Sequence, residues 1–327
     1  MKNKTYSLEE VKSEASEFLE MKKDKNETTF LNYRTSFNYF IYYLTDIAEV
    51  KTIGKENISK VLEGFQTALF KGFTYKVADN ERTVKVKASG VNTHVRRIKT
   101  FLNKSLGLTA ELENLSVNDA EYKALKVKDV ELLINEAKTY FKSEEVGLRN
   151  SILIRFLFNT AFRISEALSL RTENLFSEDG FYYVRVHEKG TAKGTLSKPI
   201  AISEEDYNSL IDYIEVKSVP SDFVFSTTRT SEDGKAKALS RQYFNKDIKK
   251  LAAFVDAKYN RNISKIVENN SSHVFRHSRA VALLNEDKVD IMKVKKFLRH
   301  DSINSTQIYL NPEEEAVNEL RINNILK

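Results

Sequence analysis

Tyr309 closes a segment that reads Leu298-Arg-His300-Asp-Ser-Ile-Asn-Ser-Thr-Gln-Ile-Tyr309. A tyrosine oxygen is a weak nucleophile near neutral pH, because its ordinary pKa is about 10, so it needs activating neighbours. With fifteen tyrosines in the chain, this one alone would be read as a core or surface residue. Upstream lies His273-Val-Phe-Arg276-His277. His273 and Arg276 are three apart and share one face of a helix, placing an imidazole beside a bidentate phosphate clamp. His277 falls off that face and reads as a hydrogen-bonded structural histidine. A third segment, Thr160-Ala-Phe-Arg163-Ile-Ser-Glu166-Ala-Leu168, sets an arginine fork at a helix start, where anions are favoured. Taken alone, an ion pair with Glu166 is the better reading of Arg163. The fourth, Val186-His-Glu-Lys189-Gly190, holds a lysine on a β-turn, where it can face a phosphate oxygen or a leaving group. Lysines are also common in ordinary hairpin loops.

These segments need a scaffold, and the apolar spacing supplies one. Helical patterns run over 127–141 and 148–160, then 204–214, 241–257, 273–284 and 291–298, with a further helix beginning near Ser302 and ending near Tyr309. Val274, Phe275, Ala280, Val281 and Leu284 give the His273 helix its buried face. Short strands at 181–186 and 198–202 flank the lysine loop. The N-terminal part reads mainly as helices. Ser7 caps a helix with Val11, Ala15, Phe18 and Leu19 inward, and further helices fit 27–44, 57–70 and 91–106. Between the last two, Phe73, Tyr75 and Val77 alternate with polar residues, as do Val84 and Val86, which predicts a β-hairpin. The polar, weakly periodic stretch after Leu108 reads as a linker. The expected plan is residues 1–108 as a helical domain, 109–123 as linker, 124–310 as a helical domain with a small antiparallel sheet, and 311–327 as a tail helix. In that tail Asn311 is a cap, Pro312 suits the first turn and Glu313, Glu314 and Glu315 complement its positive end.

Composition narrows the function classes. The 327 residues suffice for two domains, and 41% are apolar. With no cysteine, disulfides, thiol catalysis and cysteine-ligated metals are excluded. No Walker motif or carboxylate cluster for magnesium stands out, so neither metal nor cofactor is expected. No membrane segment or signal core is evident, and an intracellular, cytoplasmic protein is the default. The net charge of +6 is mild, but its distribution is uneven. Lys71, Lys76, Arg82, Lys85, Lys87, Arg96, Arg97, Lys99 and Lys104 face only Asp79 and Glu81 over that stretch. Such a stripe is either a footprint for a polyanion or a solvated helix face.

In this order the four segments resemble the catalytic signature of the tyrosine recombinase, or phage integrase, family. Its pattern is an arginine in a Thr-Gly-Leu-Arg-x-x-Glu-like context, a β-turn lysine, a His-x-x-Arg helix, and a histidine or tryptophan nine residues before the nucleophilic tyrosine. Here these fall on Arg163, Lys189, His273 with Arg276, His300 and Tyr309. The resemblance covers 127–310 and extends less specifically to the N-terminal helices, which look like the family's core-binding (SAM-like) domain. Two departures occur: Ala161-Phe162 stands where glycine is usual before the arginine, and Leu298-Arg299-His300 replaces Leu-Gly-His. Neither removes a catalytic side chain. The loop after Lys189 is longer than is common, so Lys193 is the second choice for the lysine role.

The resemblance implies a site-specific DNA recombinase, with a 3′-phosphotyrosyl link on Tyr309. Arg163 and Arg276 would stabilise phosphoryl charge, His273 and His300 would manage protons, and Lys189 would protonate the leaving 5′-oxygen. Glu166 and His277 would support this set from behind. Lys71, Lys76, Arg82, Lys85, Lys87, Arg96, Arg97 and Lys99 would contact the DNA. The implied partner is double-stranded DNA with paired inverted half-sites, bound by a homotetramer whose tails pass between protomers; any accessory proteins are unspecified. The task would be integration, excision or dimer resolution. Two other readings compete: a type IB topoisomerase that nicks and reseals one duplex, and a catalytically decayed DNA-binding protein.

Overall fold

The computed structural model describes residues 4–24, 27–77, 80–117, 124–186, 195–270 and 272–310. The loop with Lys189 and Lys193, residues 118–123 of the expected linker, and the tail 311–327 lie outside the described residues. The chain divides into two compact units, Met1–Ala120 and Glu121–Lys327.

The first unit is a helical cluster with two small β-pairs. Strand β1 (Thr5–Ser7) leads into helix α1 (Leu8–Lys23). Ser7 and Glu10 form a reciprocal capping box there, with Glu10 Oε2 accepting from the Ser7 amide at 2.7 Å. Helix α2 (Glu27–Tyr42) continues as one π-helical turn, Tyr43–Ile47. Strand β2 (Thr52–Gly54) pairs antiparallel with β1. Helix α3 (Ile58–Lys71), strands β3 (Phe73–Val77) and β4 (Asn80–Val84), and helix α4 (Ala88–Leu106) follow. The hairpin forms as expected, but its second strand starts four residues earlier than the Val84–Val86 alternation suggested. Phe18, Phe37 and Phe101 meet edge to face at the centre of this unit.

The stretch read as linker is bound to the first unit as far as Leu115. Leu108 and Ala110 are buried in its core, with Leu112 and Leu115 packed against it. Asn92 bonds Leu115 in both directions, at 2.8 and 2.9 Å, and Gln66 donates to the Glu113 carbonyl. Low periodicity marked an irregular strap, whose backbone groups are satisfied by side chains instead of a helix.

The second unit is built on helices α5 (Val127–Tyr140) and α6 (Glu144–Thr160). Gly147 lets the start of α6 approach the end of α5; a Cβ there would lie 2.8 Å from the Ala137 and Lys138 carbonyl oxygens. Short helix α7 (Ile164–Leu168) precedes an antiparallel sheet of order β5-β6-β7, formed by Leu175–Glu178, Phe181–Val184 and Ile200–Ile202. Helix α8 (Glu204–Glu215), a hairpin of β8 (Ser226–Thr230) and β9 (Ala236–Ala238), and helices α9 (Arg241–Tyr259) and α10 (Ile263–Asn270) come next. Helix α11 (His273–Val281) runs into a π-helical turn, Ala282–Glu286; α12 (Ile291–Leu298) and α13 (Asn304–Gln307) complete the described chain. Phe156, Phe225, Phe244 and Phe275 are fully buried in the main core. A smaller cluster of Ala161, Ala280, Leu284, Val294 and Leu298 ties the ends of α6, α11 and α12 together, with Tyr309 packed on it. Among the described residues, no helix is long and apolar enough to cross a membrane.

Candidate active site

The site forms where three chain segments stop being helical. Helix α6 ends on Ala161 in the left-handed conformation, φ 50°, and α12 ends on Arg299, also left-handed, φ 56°. Glycine is the usual residue in such positions because it has no Cβ to crowd the backbone. The residues after each turn lie within electrostatic reach of Arg276 on α11: Arg163 after the first, His300 after the second.

Arg276 bonds to both turns. Its guanidinium donates to the Ala161 carbonyl at 2.6 Å and to the Leu298 carbonyl. Only 4% of the residue is exposed. Burial lowers its pKa to about 10, with the Arg163 and Arg299 charges adding to the effect against Glu166 and Tyr309. It stays protonated at neutral pH. Two of its N–H groups are spent on backbone, leaving the rest of the five-donor fork for an anion.

Arg163 precedes α7 as its N-cap residue. Its amide donates to Glu166 Oε2 at 2.8 Å and its Nη1 to Glu166 Oε1 at 2.7 Å. The ion pair read from the local sequence is therefore present, and it leaves the rest of the fork unspent. Glu166 is buried. Burial pushes its carboxyl up, but Arg299 and Arg163 together outweigh that and hold it below the usual range.

Tyr309 follows the end of α13. Its ring sits between two imidazoles: His277 at 4.9 Å, edge-on, and His300 at 6.1 Å, stacked. Asn285 donates to the Tyr309 carbonyl at 3.2 Å. His300 Nδ1 lies 2.9 Å from the hydroxyl of the fully buried Thr306. Burial, with the Arg276, Arg163 and Arg299 charges, lowers the His300 pKa to about 4, so the ring is neutral at pH 7. A neutral imidazole offers one donor and one acceptor.

Of the residues singled out in the sequence, Arg163, Glu166, Arg276, His277, His300 and Tyr309 thus come together. His273 opens α11, exposed, one turn before the buried Arg276. His277 is buried, as expected of a structural histidine, but it also touches Tyr309, which its helix face alone did not reveal. Sequence reasoning missed Arg299, which donates to Glu166 Oε2 at 3.0 Å, along with Thr306 and Asn285. The only trace of Arg299 was an arginine standing where glycine is usual.

In the first unit, Lys71, Lys76, Arg82, Lys85, Lys87 and Arg96 are exposed. Arg97 and Lys99 are half-buried and bonded within the fold: Arg97 to the Asn32 carbonyl and Ser36 hydroxyl, Lys99 to the Leu112 carbonyl. Phe73 and Tyr75 seat the hairpin on Tyr39 and Tyr42, leaving Lys76 exposed.

Comparisons with known proteins bear on the family and the fold. The model of the phage integrase family matches residues 123–316. A tyrosine recombinase XerD of Rhizobium meliloti is 30% identical over 205 residues, covering 61% of this chain and 60% of that protein. A tyrosine recombinase XerC of Rickettsia bellii is 26% identical over 305 residues, covering 89% and 88%. The fold matches a crystal structure of XerH site-specific recombinase bound to palindromic difH substrate, a post-cleavage complex. The TM-score is 0.62, with 18% identity over 94% of this chain and 83% of that one. The family match spans more than half of the chain and includes every residue gathered around Tyr309, so the chain belongs to the phage integrase family of tyrosine recombinases.

Proposed function

We propose that this chain is a site-specific recombinase that cuts and rejoins DNA through Tyr309. The observation that carries the reading is the placement of Tyr309 between His277 and His300, beside an arginine pair braced by Arg276's bonds to both turns. The Tyr309 oxygen attacks the scissile phosphorus and loses its proton. The bond to the 5′-oxygen breaks, and that oxygen takes a proton from Lys189, with Lys193 as second choice. Arg163 and Arg276 hold the charge that builds on the phosphoryl oxygens; donors aimed at such charge commonly contribute about 10²–10³ in rate. Neutral His300 and exposed His273 bond the phosphoryl group and relay the tyrosine proton. The 3′-phosphotyrosyl link keeps the phosphodiester's energy, so a new 5′-hydroxyl can reverse the reaction without ATP.

The exposed basic residues of the first unit track the duplex backbone. We place four protomers on paired inverted half-sites, each passing its 311–327 tail to a neighbour, and place the reaction in the cytoplasm on chromosomal, plasmid or mobile-element DNA. The palindromic substrate of the XerH neighbour supports paired half-sites.

The test starts from a site selected by this protein from randomised duplex DNA. Two duplexes carrying that site, one labelled, should exchange strands in the presence of a chelator and without ATP. Relaxation of a supercoiled plasmid lacking the site, with no exchange, would favour a topoisomerase. Specific binding with no cleavage would favour a decayed protein. For the lysine, Lys189→Ala should slow cleavage, and a 5′-thio leaving group, which needs little protonation, should restore it. Equal slowing of both substrates would move the role to Lys193.

A further inference from the structure

The two departures from the family pattern meet each other, and one of them also bonds a buried carboxylate. Arg299, left-handed at φ 56°, occupies a turn that glycine would adopt with less strain. Its guanidinium lies 4.3 Å from the centre of the Phe162 ring, and Phe162 belongs to the other departure. From that perch Arg299 donates to Glu166 Oε2 at 3.0 Å, while Glu166 Oε1 takes Arg163 at 2.7 Å. Glu166 is thus a buried carboxylate shared by two guanidinium groups.

That sharing decides the charge offered to a phosphate. A carboxylate bonded to Arg163 alone would cancel most of the field that Arg163 presents. Charge interactions in such a shielded site are several-fold stronger than in water, so the cancellation would be felt. Arg299 supplies the missing counter-charge. With Arg163, Arg276 and Arg299 set against Glu166, the cluster keeps an excess of positive charge. Burial is the main cause of the lowered pKa values of Arg276 and His300, and the neighbouring arginine charges act in the same direction.

We propose that Arg299 is a positioning residue for DNA cleavage: by neutralising Glu166, it lets that carboxylate orient Arg163 without cancelling Arg163's charge at the scissile phosphate. This rests on the recombinase reading above. A purely structural Arg299 would only pin the α12 turn onto Phe162 and Glu166.

The experiment measures the rate of covalent adduct formation on a nicked duplex carrying the selected site. Arg299→Gln keeps a donor for Glu166 and the stem on Phe162 but drops the charge. It should slow the adduct about tenfold or more. Adding Glu166→Gln to Arg299→Gln should recover at least about threefold, because the unbalanced carboxylate is then gone. Wild-type rate in Arg299→Gln, or a double variant no faster than the single, overturns the proposal. If Arg299→Gln does not fold, Arg299→Lys and Arg299→Gly make the same comparison. Lysine keeps the charge and glycine suits the backbone; Arg299→Lys must be the faster, and the reverse order overturns the proposal. Wild-type protein that forms no adduct on this duplex counts against the recombinase reading itself, not against the role of Arg299 within it.

Discussion

The two units carry their functional charge in opposite ways. In the first, Lys71, Lys76, Arg82, Lys85, Lys87 and Arg96 stand exposed on helices, a hairpin and the segment that joins β4 to α4. In the second, Arg276 and Glu166 are buried and bonded to segments more than a hundred residues away in sequence. Exposed charges suit a partner whose backbone is a repeating anion, where each contact adds a similar increment. Reaction chemistry demands donors fixed in advance around one phosphorus, and the fold pays for that with burial, strained turns and shared hydrogen bonds. Substitutions in the second unit should therefore act together, whereas those in the first should act independently.

The largest effect should come from Arg276→Ala. It removes the donor proposed to hold the phosphoryl group and leaves the Ala161 and Leu298 carbonyls without this partner. We expect cleavage to fall about 10²–10³-fold. Stability should fall by about 1–3 kcal/mol for each carbonyl left unsatisfied. Arg276→Lys should fail to rescue, because an ammonium cannot span both turns. Adduct kinetics and thermal melting check this; normal cleavage by Arg276→Ala would erase the contrast between the units.

A smaller, graded effect is expected in the first unit. Single changes of Lys85, Lys87 or Arg96 to alanine should weaken DNA binding alike on all sequences and reduce the salt slope by about one each. Their melting temperatures should stay close to wild type. Arg97→Ala should behave differently, losing stability along with its bonds to Asn32 and Ser36. Binding titrations across salt concentrations separate these outcomes. Strong coupling among the exposed lysines would contradict independent action.

The smallest effect concerns acid. Burial, with Arg97 adding to it, holds the first-unit His94 at about 4, and burial with three arginines does the same for His300 in the second; both ordinarily sit at 6.5. A histidine with a depressed pKa leaves the unfolded chain holding more protons between those values. The stability tied to each ring is thus fully present above pH 6.5 and lost as pH falls toward about 4. His94→Gln and His300→Gln should each flatten the fall in melting temperature across that range. Unaltered acid sensitivity in both variants would remove these rings as its source.

Much of this was legible in the sequence, and the gaps have physical causes. The long helices announced themselves because an apolar face repeats every three to four residues. Strand β5, Leu175–Glu178, escaped notice because it is four residues long and carries no alternation; pairing with β6 makes it a strand. Helix α10 and the β8–β9 hairpin are similarly short. In the site, Arg163, His273, Arg276, His300 and Tyr309 were singled out by the resemblance of their segments, taken in order, to the family signature; each segment alone was ambiguous. The His277–Tyr309 contact and the sharing of Glu166 by Arg163 and Arg299 could not be read there, since they depend on how α6, α11 and α12 end against each other. The packing of the strap after Leu108 was not legible for the same reason: its partners, Gln66 and Asn92, lie on two different helices.

The most direct test of the reaction centre compares wild type with Tyr309→Phe on the nicked duplex, reading adduct and binding separately. The ring contacts with His277 and His300 would survive the change, and only the hydroxyl would be lost. Wild type should accumulate a covalent complex whose DNA-linked peptide contains Tyr309, while Tyr309→Phe binds DNA nearly as well and forms none. An adduct formed by Tyr309→Phe, or a wild-type adduct mapped to another residue, would contradict the account.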